Sequence, residues 1–426
     1  MNGKSNFKKF LLLWSGELVS SIGGGLTNFG LGVYVFQQTG SASGMALVTL
    51  LGFLPTLLLS VPSGVLADRY DRRLLMMIGD GCSALGVLYI LICMLRGNAS
   101  LAQICVGVSF SAIFSALLEP SYRATITDLL TKGEFSKANG LVSLAGSARY
   151  LISPLIAGFL IAISDVKLLL VLDICTFFLT ILSAAVVRKG LGSKPADQKE
   201  PFLQSTREGW QVLRGKKGLL PLVAISSAIT MFMGILQVLE RPLVLSFSDE
   251  QTLGMMETIC ACGMLVSGVV LGIKGLKKNF VRTLGLALML SGVFMFGFGL
   301  FENILPLCIF GFLFFASLPF ANNCLDYLAR TNIPDEAQGR VWGMIGFISQ
   351  LGYVVAYGVS GAAADALGSA LGIGVGRGAA LVILIGGVLL AITATLIWIP
   401  KSIRELENTN GGNKNERNEY ECVEAL

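Results

Sequence analysis

Apolar residues run in long blocks, broken by short polar stretches, from one end of the chain to the other. Residues 11–36, 74–95, 168–187 and 379–399 are examples. A helix of about twenty apolar residues spans the hydrocarbon core of a bilayer. The pattern predicts spans at roughly 10–36, 42–67, 73–95, 101–127, 137–163, 167–187, 218–246, 252–273, 282–301, 303–329, 339–365 and 377–399. The first block follows Lys4, Lys8 and Lys9, as the core of a secretory signal would. It is too long for one, contains Glu17 and lacks a small-x-small cleavage site, so it reads as a retained first span.

Composition agrees. Of 426 residues, 54% are apolar and only 14% charged, with a mean hydropathy of +0.72. A soluble domain of this length needs more charge to cover its surface. The reading is an all-α membrane protein of about twelve helices, its chief partner the lipid bilayer, with no nucleic-acid partner. Nine cysteines are scattered, all but Cys422 in or beside apolar blocks, and there is no histidine. Cys260 and Cys262 point to different faces of one helix, so zinc or redox chemistry has no ligand set and no cofactor is expected. The cysteines read as packing residues.

Lys and Arg are retained on the cytoplasmic side of a membrane. A cytoplasmic N-terminus leaves only Arg96, Lys167, Arg241 and Arg377 outside, with Arg149 inside a span. Both termini are then cytoplasmic, in a multi-pass protein of the cell (inner) membrane. The basic stretch 188–217 divides the chain into halves at 1–187 and 218–400. Phe202, Thr206, Trp210 and Leu213 have helical spacing, which predicts a short surface helix in that linker. The polar tail 401–426 reads as disordered. Pro120 followed by Gly140 recurs as Pro319 followed by Gly339, so the halves repeat.

The loop after the second span reads Gly64-Val65-Leu66-Ala67-Asp68-Arg69-Tyr70-Asp71-Arg72-Arg73. Gly64 permits close helix contact, Asp68 can accept from a helix N-terminus or an arginine, and Arg72 and Arg73 suit an anionic surface. The loop resembles the G-x-x-x-D-R-x-x-R-R motif of the major facilitator superfamily at every defined position. That resemblance implies the major facilitator fold of two six-helix halves with a substrate site between them. It also implies that Gly64, Asp68, Arg69, Arg72 and Arg73 form a cytoplasmic latch remade in each cycle, which Asp80 would join. The corresponding loop of the second half, 268–274, keeps glycines and Lys274 but has no acid.

Further segments resemble the macrolide-efflux branch of drug:proton antiporters. They are Trp14-Ser15-Gly16 with Ser20, Gly52-Phe53-Leu54-Pro55, Pro120-Ser121-Tyr122-Arg123-Ala124, Asp128-Leu129-Leu130, Lys137-Ala138-Asn139, Glu208-Gly209-Trp210, and Ile333-Pro334-Asp335-Glu336 with Gly339-Arg340-Val341. Ser153, Pro154, Ala157 and Gly158 form a relaxed version of an antiporter motif, in which proline permits a bend and small residues allow close packing. In one respect the chain departs from the branch: Ser111 stands where drug antiporters usually carry a fourth-span arginine, and Arg149 is the cation that could replace it.

Ionisable residues inside spans cost several kcal/mol unless paired or hydrated. Glu17, Ser21, Gly24 and Asn28 form one polar stripe, Met233, Gln237 and Glu240 another, and Gln350, Tyr353 and Tyr357 a third. The resemblance puts the first, fourth, seventh and tenth helices around the cavity, so Ser21, Asn28, Ser111, Met233, Gln237 and Asn322 are candidate lining residues, with Asn323, Gln350 and Tyr353. Each stripe has an alternative as simple helix packing. Without histidine, proton coupling would run through carboxylates, and Glu17, Asp173, Glu240, Glu257 and Asp326 are the candidates. Glu119 and Arg123 read as an i,i+4 surface pair. The expected function is proton-driven efflux of small lipophilic compounds by a monomeric protein. The alternatives are export of a native metabolite such as a siderophore or lipid, and a non-transporting sensor. An enzyme would need a nucleophile or metal constellation, and a channel a filter loop; the chain offers neither, nor a nucleotide-binding P-loop.

Overall fold

The computed structural model describes residues 6–189, 210–276, 278–334, 337–397 and 403–407. Among them, twelve helices are long and apolar enough to cross a membrane, and none of these residues is in a strand. In order they are Phe7–Thr39, Ala42–Arg69, Arg72–Leu95, Leu101–Leu129, Phe135–Ile163, Val166–Arg188, Leu219–Leu245, Glu250–Lys274, Phe280–Leu300, Ile304–Arg330, Arg340–Ala370 and Gly374–Thr395. The protein is an all-α membrane protein, and hydropathy located every span.

Two spans are broken. The fourth divides into Leu101–Ser115 and Leu118–Leu129, and the break falls where the Pro120 ring would meet the carbonyl one turn before it. The fifth divides into Phe135–Leu151 and Ser153–Ile163, just ahead of Pro154. Pro55, Pro62, Pro242 and Pro319 lie inside helices that continue.

The chain forms two compact units. One comprises Met1–Gln198, Glu240–Thr258 and Ser360–Gly378; the other comprises Lys199–Leu239, Ile259–Val359 and Ala379–Leu426. The first unit therefore holds more than the first six spans. It also takes in the end of the seventh, the start of the eighth, the end of the eleventh and the start of the twelfth.

In the first unit, one apolar cluster joins Leu31, Val48, Ile90, Ile104 and Leu170. A second, nearer the motif loop, joins Phe10, Met76, Tyr122, Leu129 and Val187. Glycines seven residues apart bring the first and sixth helices close. A Cβ on Gly16 would lie 2.6 Å from Ser183 Oγ, one on Gly23 2.7 Å from Asp173 Oδ1, and one on Gly30 2.7 Å from a Leu169 methyl. Small residues at such contacts let membrane helices pack backbone to backbone. Gly40 ends the first helix in the left-handed region (φ 61°), and Ser41 at once caps the second by accepting from Gly44 N.

In the second unit, Ser291 and Ser317 join the ninth and tenth helices at 2.5 Å. Part of the tail departs from the expectation of disorder. Residues 403–407 form a helical turn with Ile403 and Leu406 buried. Glu407 accepts from Phe280 N at 2.9 Å and Val281 N at 3.3 Å, capping a helix that its own N-cap residue, Asn279, does not cap with its side chain. Asn332 donates to Leu406 O at 3.0 Å. Residues 408–426 lie outside the described residues. So does most of the linker; of its expected surface helix only 210–215 is described, with Leu213 buried and Arg214 over the Trp210 ring.

Candidate functional site

The motif loop is held by a residue that entered the sequence reading only as part of a resemblance. Asp128, at the end of the fourth span, accepts from Arg72 Nη1 at 2.7 Å and Arg73 Nη2 at 3.2 Å. Arg72 also donates to the carbonyls of Ala67 and Ala124. Arg73 is buried rather than at the membrane surface, with its side chain 4% exposed. Asp68 lies 3.9 Å from Arg72, and Arg69 is exposed. Asp71 caps the third helix by accepting from Arg73 N and binds Arg188 Nε at 2.7 Å. Partial burial works against the Asp71 charge, but the Arg188 bond, the Arg73 N–H and the Arg188 charge outweigh it and hold its carboxyl below the ordinary value. A Cβ added at Gly64 would meet no neighbouring atom within 4 Å, so close packing does not explain the glycine in this conformation. Glu119 and Arg123 pair at the surface at 2.9 Å.

Asp80, expected at this latch, belongs elsewhere. It is buried, and the charges that act on it are those of Glu17 and Asp173. Asp173 is buried between the first and sixth helices, accepting from Thr27 Oγ1 at 2.6 Å and Thr176 Oγ1 at 3.4 Å. With Glu17, these make three of the carboxylates held within the spans of the first unit. The exposed Arg149 is the cation whose field reaches Glu17 and Asp173. Gly24, within the Glu17 stripe, faces open space, and Ser21 is half-buried beside it. Ser111 does not face open space: its Cβ packs on Gly86 of the third span, and its carbonyl accepts from Ser83.

At the end opposite the motif loop, the first unit is closed by a polar seam. Arg241 donates to Glu257 at 2.9 Å and to the Asn28 carbonyl at 3.2 Å, and lies over the Phe29 ring. Glu240, buried, sits beside that pair. Gln37 donates to Glu250. The antiporter-like motif packs here. Ser153 donates to Ile22 O at 3.0 Å, and Ala157 is buried. A Cβ on Gly158 would lie 2.6 Å from Glu250 O, and one on Gly254 would meet the Pro154 carbonyl. Asp365 of the eleventh span accepts from Ser41 Oγ at 2.6 Å, Ala42 N at 2.9 Å, Ser43 N at 2.9 Å and Ser43 Oγ. Sequence reading missed Asp365; its place one turn after Gly361 was the available signal.

In the second unit the two polar stripes meet each other. Tyr353 OH donates to Met233 Sδ at 3.2 Å and Tyr357 OH to Gln237 Oε1 at 3.0 Å. In this conformation those residues join the seventh and eleventh helices, the packing alternative raised from sequence. Gln350, Asn322, Asn323 and Asp326 are exposed.

Twelve apolar spans among the described residues, carboxylates inside them and a charged loop after the second define a polytopic membrane protein. A model of the Major Facilitator Superfamily matches residues 13–357, and the chain belongs to that superfamily. It is 27% identical to Macrolide efflux protein A of Streptococcus pyogenes over 86% of this chain and 92% of that protein. It is 25% identical to the Enterobactin exporter EntS of Salmonella typhi over 79% of this chain and 80% of that one. Among solved structures, an inward-facing, occupied bacterial homologue of the human lysosomal transporter Spinster has a TM-score of 0.73 at 14% identity, covering 94% of this chain and 97% of that one. The likeness to that structure is one of fold.

Proposed function

We propose that this protein exports small lipophilic compounds in exchange for protons by alternating access, as a monomer with both termini in the cytoplasm. The observation that carries the reading is the group of intramembrane carboxylates, Glu17, Asp80 and Asp173, with Arg149 as the cation acting on two of them. Such groups are costly in a bilayer and are kept where they move charge or bind it. Glu17 heads a stripe that opens at Gly24, so protonation and substrate entry can be linked on one face. The Arg72–Arg73–Asp128 cluster, with Asp68 3.9 Å from Arg72, supports a latch at the motif loop. The likeness to a macrolide efflux protein favours bulky lipophilic cargo. A second reading, export of a native metabolite such as a siderophore, draws on the likeness to an enterobactin exporter.

The test is susceptibility of an efflux-deficient bacterium expressing wild type, Asp68→Asn or Glu17→Gln at equal levels, against macrolides, dyes and other lipophilic drugs. Resistance with wild type and its loss in both variants supports the proposal. No resistance to any compound overturns drug efflux. Siderophore accumulating in the medium of the same strain would then favour the second reading.

A further inference from the structure

We infer that Asp365 is a positioning residue that clamps the far ends of the second and eleventh spans, and that its release is a step of the transport cycle. The inference rests on the alternating-access reading above. One carboxylate takes four hydrogen bonds, from two backbone N–H groups and two hydroxyls, all within Ser41, Ala42 and Ser43. Three of them reach Oδ2 and one reaches Oδ1, against about four acceptor sites on a carboxylate in all. The donors are the first residues of the second helix, where unpaired N–H groups and the positive end of the helix dipole favour an anion. Ser41 Oγ accepts from Gly44 N, while the earlier N–H groups of Ala42 and Ser43 donate to Asp365.

The approach is prepared one turn earlier. A Cβ at Gly361 would lie 2.6 Å from the Ala42 carbonyl and 2.7 Å from Ala46 Cβ, so only glycine lets the eleventh helix come this near. Gly361 and Asp365 share a helical face, as do Ala42 and Ala46. The clamp also differs in kind from an apolar seal. All its groups sit at the helix end beside the Gly40–Ser41 turn, where water can replace each bond when the helices part. A contact of that sort can be broken and remade without stranding a buried polar group. The same helix carries Asp68 at its other end, so a carboxylate lies at each end of the second span, its own at one and that of the eleventh span at the other.

The test places a cysteine at the buried Ala46 and follows its alkylation by a water-soluble maleimide, read at that residue by mass spectrometry. The alkylation rate reports the parted form however small its population. Asp365→Asn should raise it about tenfold, the effect of removing a charge-assisted cap. Asp365→Ala should raise it more, and Ser41→Ala/Ser43→Ala, which keeps the carboxylate, should fall between. Wild-type rates in the two Asp365 variants, with both proteins folded and monodisperse, overturn the inference. If those variants fail to fold, a wild-type rate in the serine double variant overturns it instead. A raised rate in a protein that exports no compound supports the clamp but sinks the transport reading, and with it the place of the clamp in a transport cycle.

Discussion

Asp128→Asn keeps the shape of the side chain and removes its charge, which isolates what holds the motif loop. Arg72 keeps two carbonyl partners. Arg73 does not: its side chain is 4% exposed, and its Nε has no hydrogen-bond partner. Breaking a fully buried ion pair costs about 3–5 kcal/mol, whereas an exposed one is worth at most about 1 kcal/mol. Asp128 is 33% exposed, so the loss should lie between those limits, at about 2 kcal/mol. Arg73→Met then removes the stranded charge at similar volume. The double variant should be about 1 kcal/mol more stable than Asp128→Asn alone. Equilibrium unfolding of the four proteins in mixed micelles gives the cycle. A double variant no more stable than Asp128→Asn, with coupling below about 0.3 kcal/mol, would refute the buried-pair argument.

Gly23→Leu should be severely destabilising, since a Cβ there already meets Asp173 and Thr176, whereas Gly24→Leu should fold normally and impair export by filling open space; melting midpoints and drug resistance separate the two. The Asp71 carboxyl is held below its ordinary value, so its contribution is complete above about pH 4 and is lost as pH falls through the lower folded value. The melting difference between wild type and Asp71→Asn should therefore be constant near neutrality and shrink below about pH 4; a difference that grows on acidification would contradict it. Glu407→Ala should cost about 1 kcal/mol by uncapping the ninth span, and a chain ending at residue 402 should unfold with the same midpoint as that variant or lower.

What the sequence could reveal follows the range of the physics involved. Span positions depend on local hydropathy, so even the break before Pro154 was foreseen as a bend. The motif loop was legible because its residues are contiguous. Its anchor was not, because Asp128 lies on another helix and nothing local marks it as the partner of Arg72 and Arg73. Asp80 was misassigned for the same reason: sequence distance put it near the loop, while its helix buries it where the charges of Glu17 and Asp173 reach it. The polar stripes of the seventh and eleventh spans were read correctly as stripes, but periodicity cannot say whether a stripe faces a cavity or another stripe. Tyr353 and Tyr357 answer that for Met233 and Gln237 in this conformation. The tail looked featureless because two apolar residues, Ile403 and Leu406, suffice to dock it.

The glycines at 16, 23 and 30 lie about a third of a turn from the Glu17, Ser21, Gly24 and Asn28 face. One helix thus divides its labour by angle: one side grips the sixth helix, while the side a third of a turn away is open at Gly24. Substitutions at the open position leave that grip undisturbed, so the frame and the polar face beside it are able to change independently of one another.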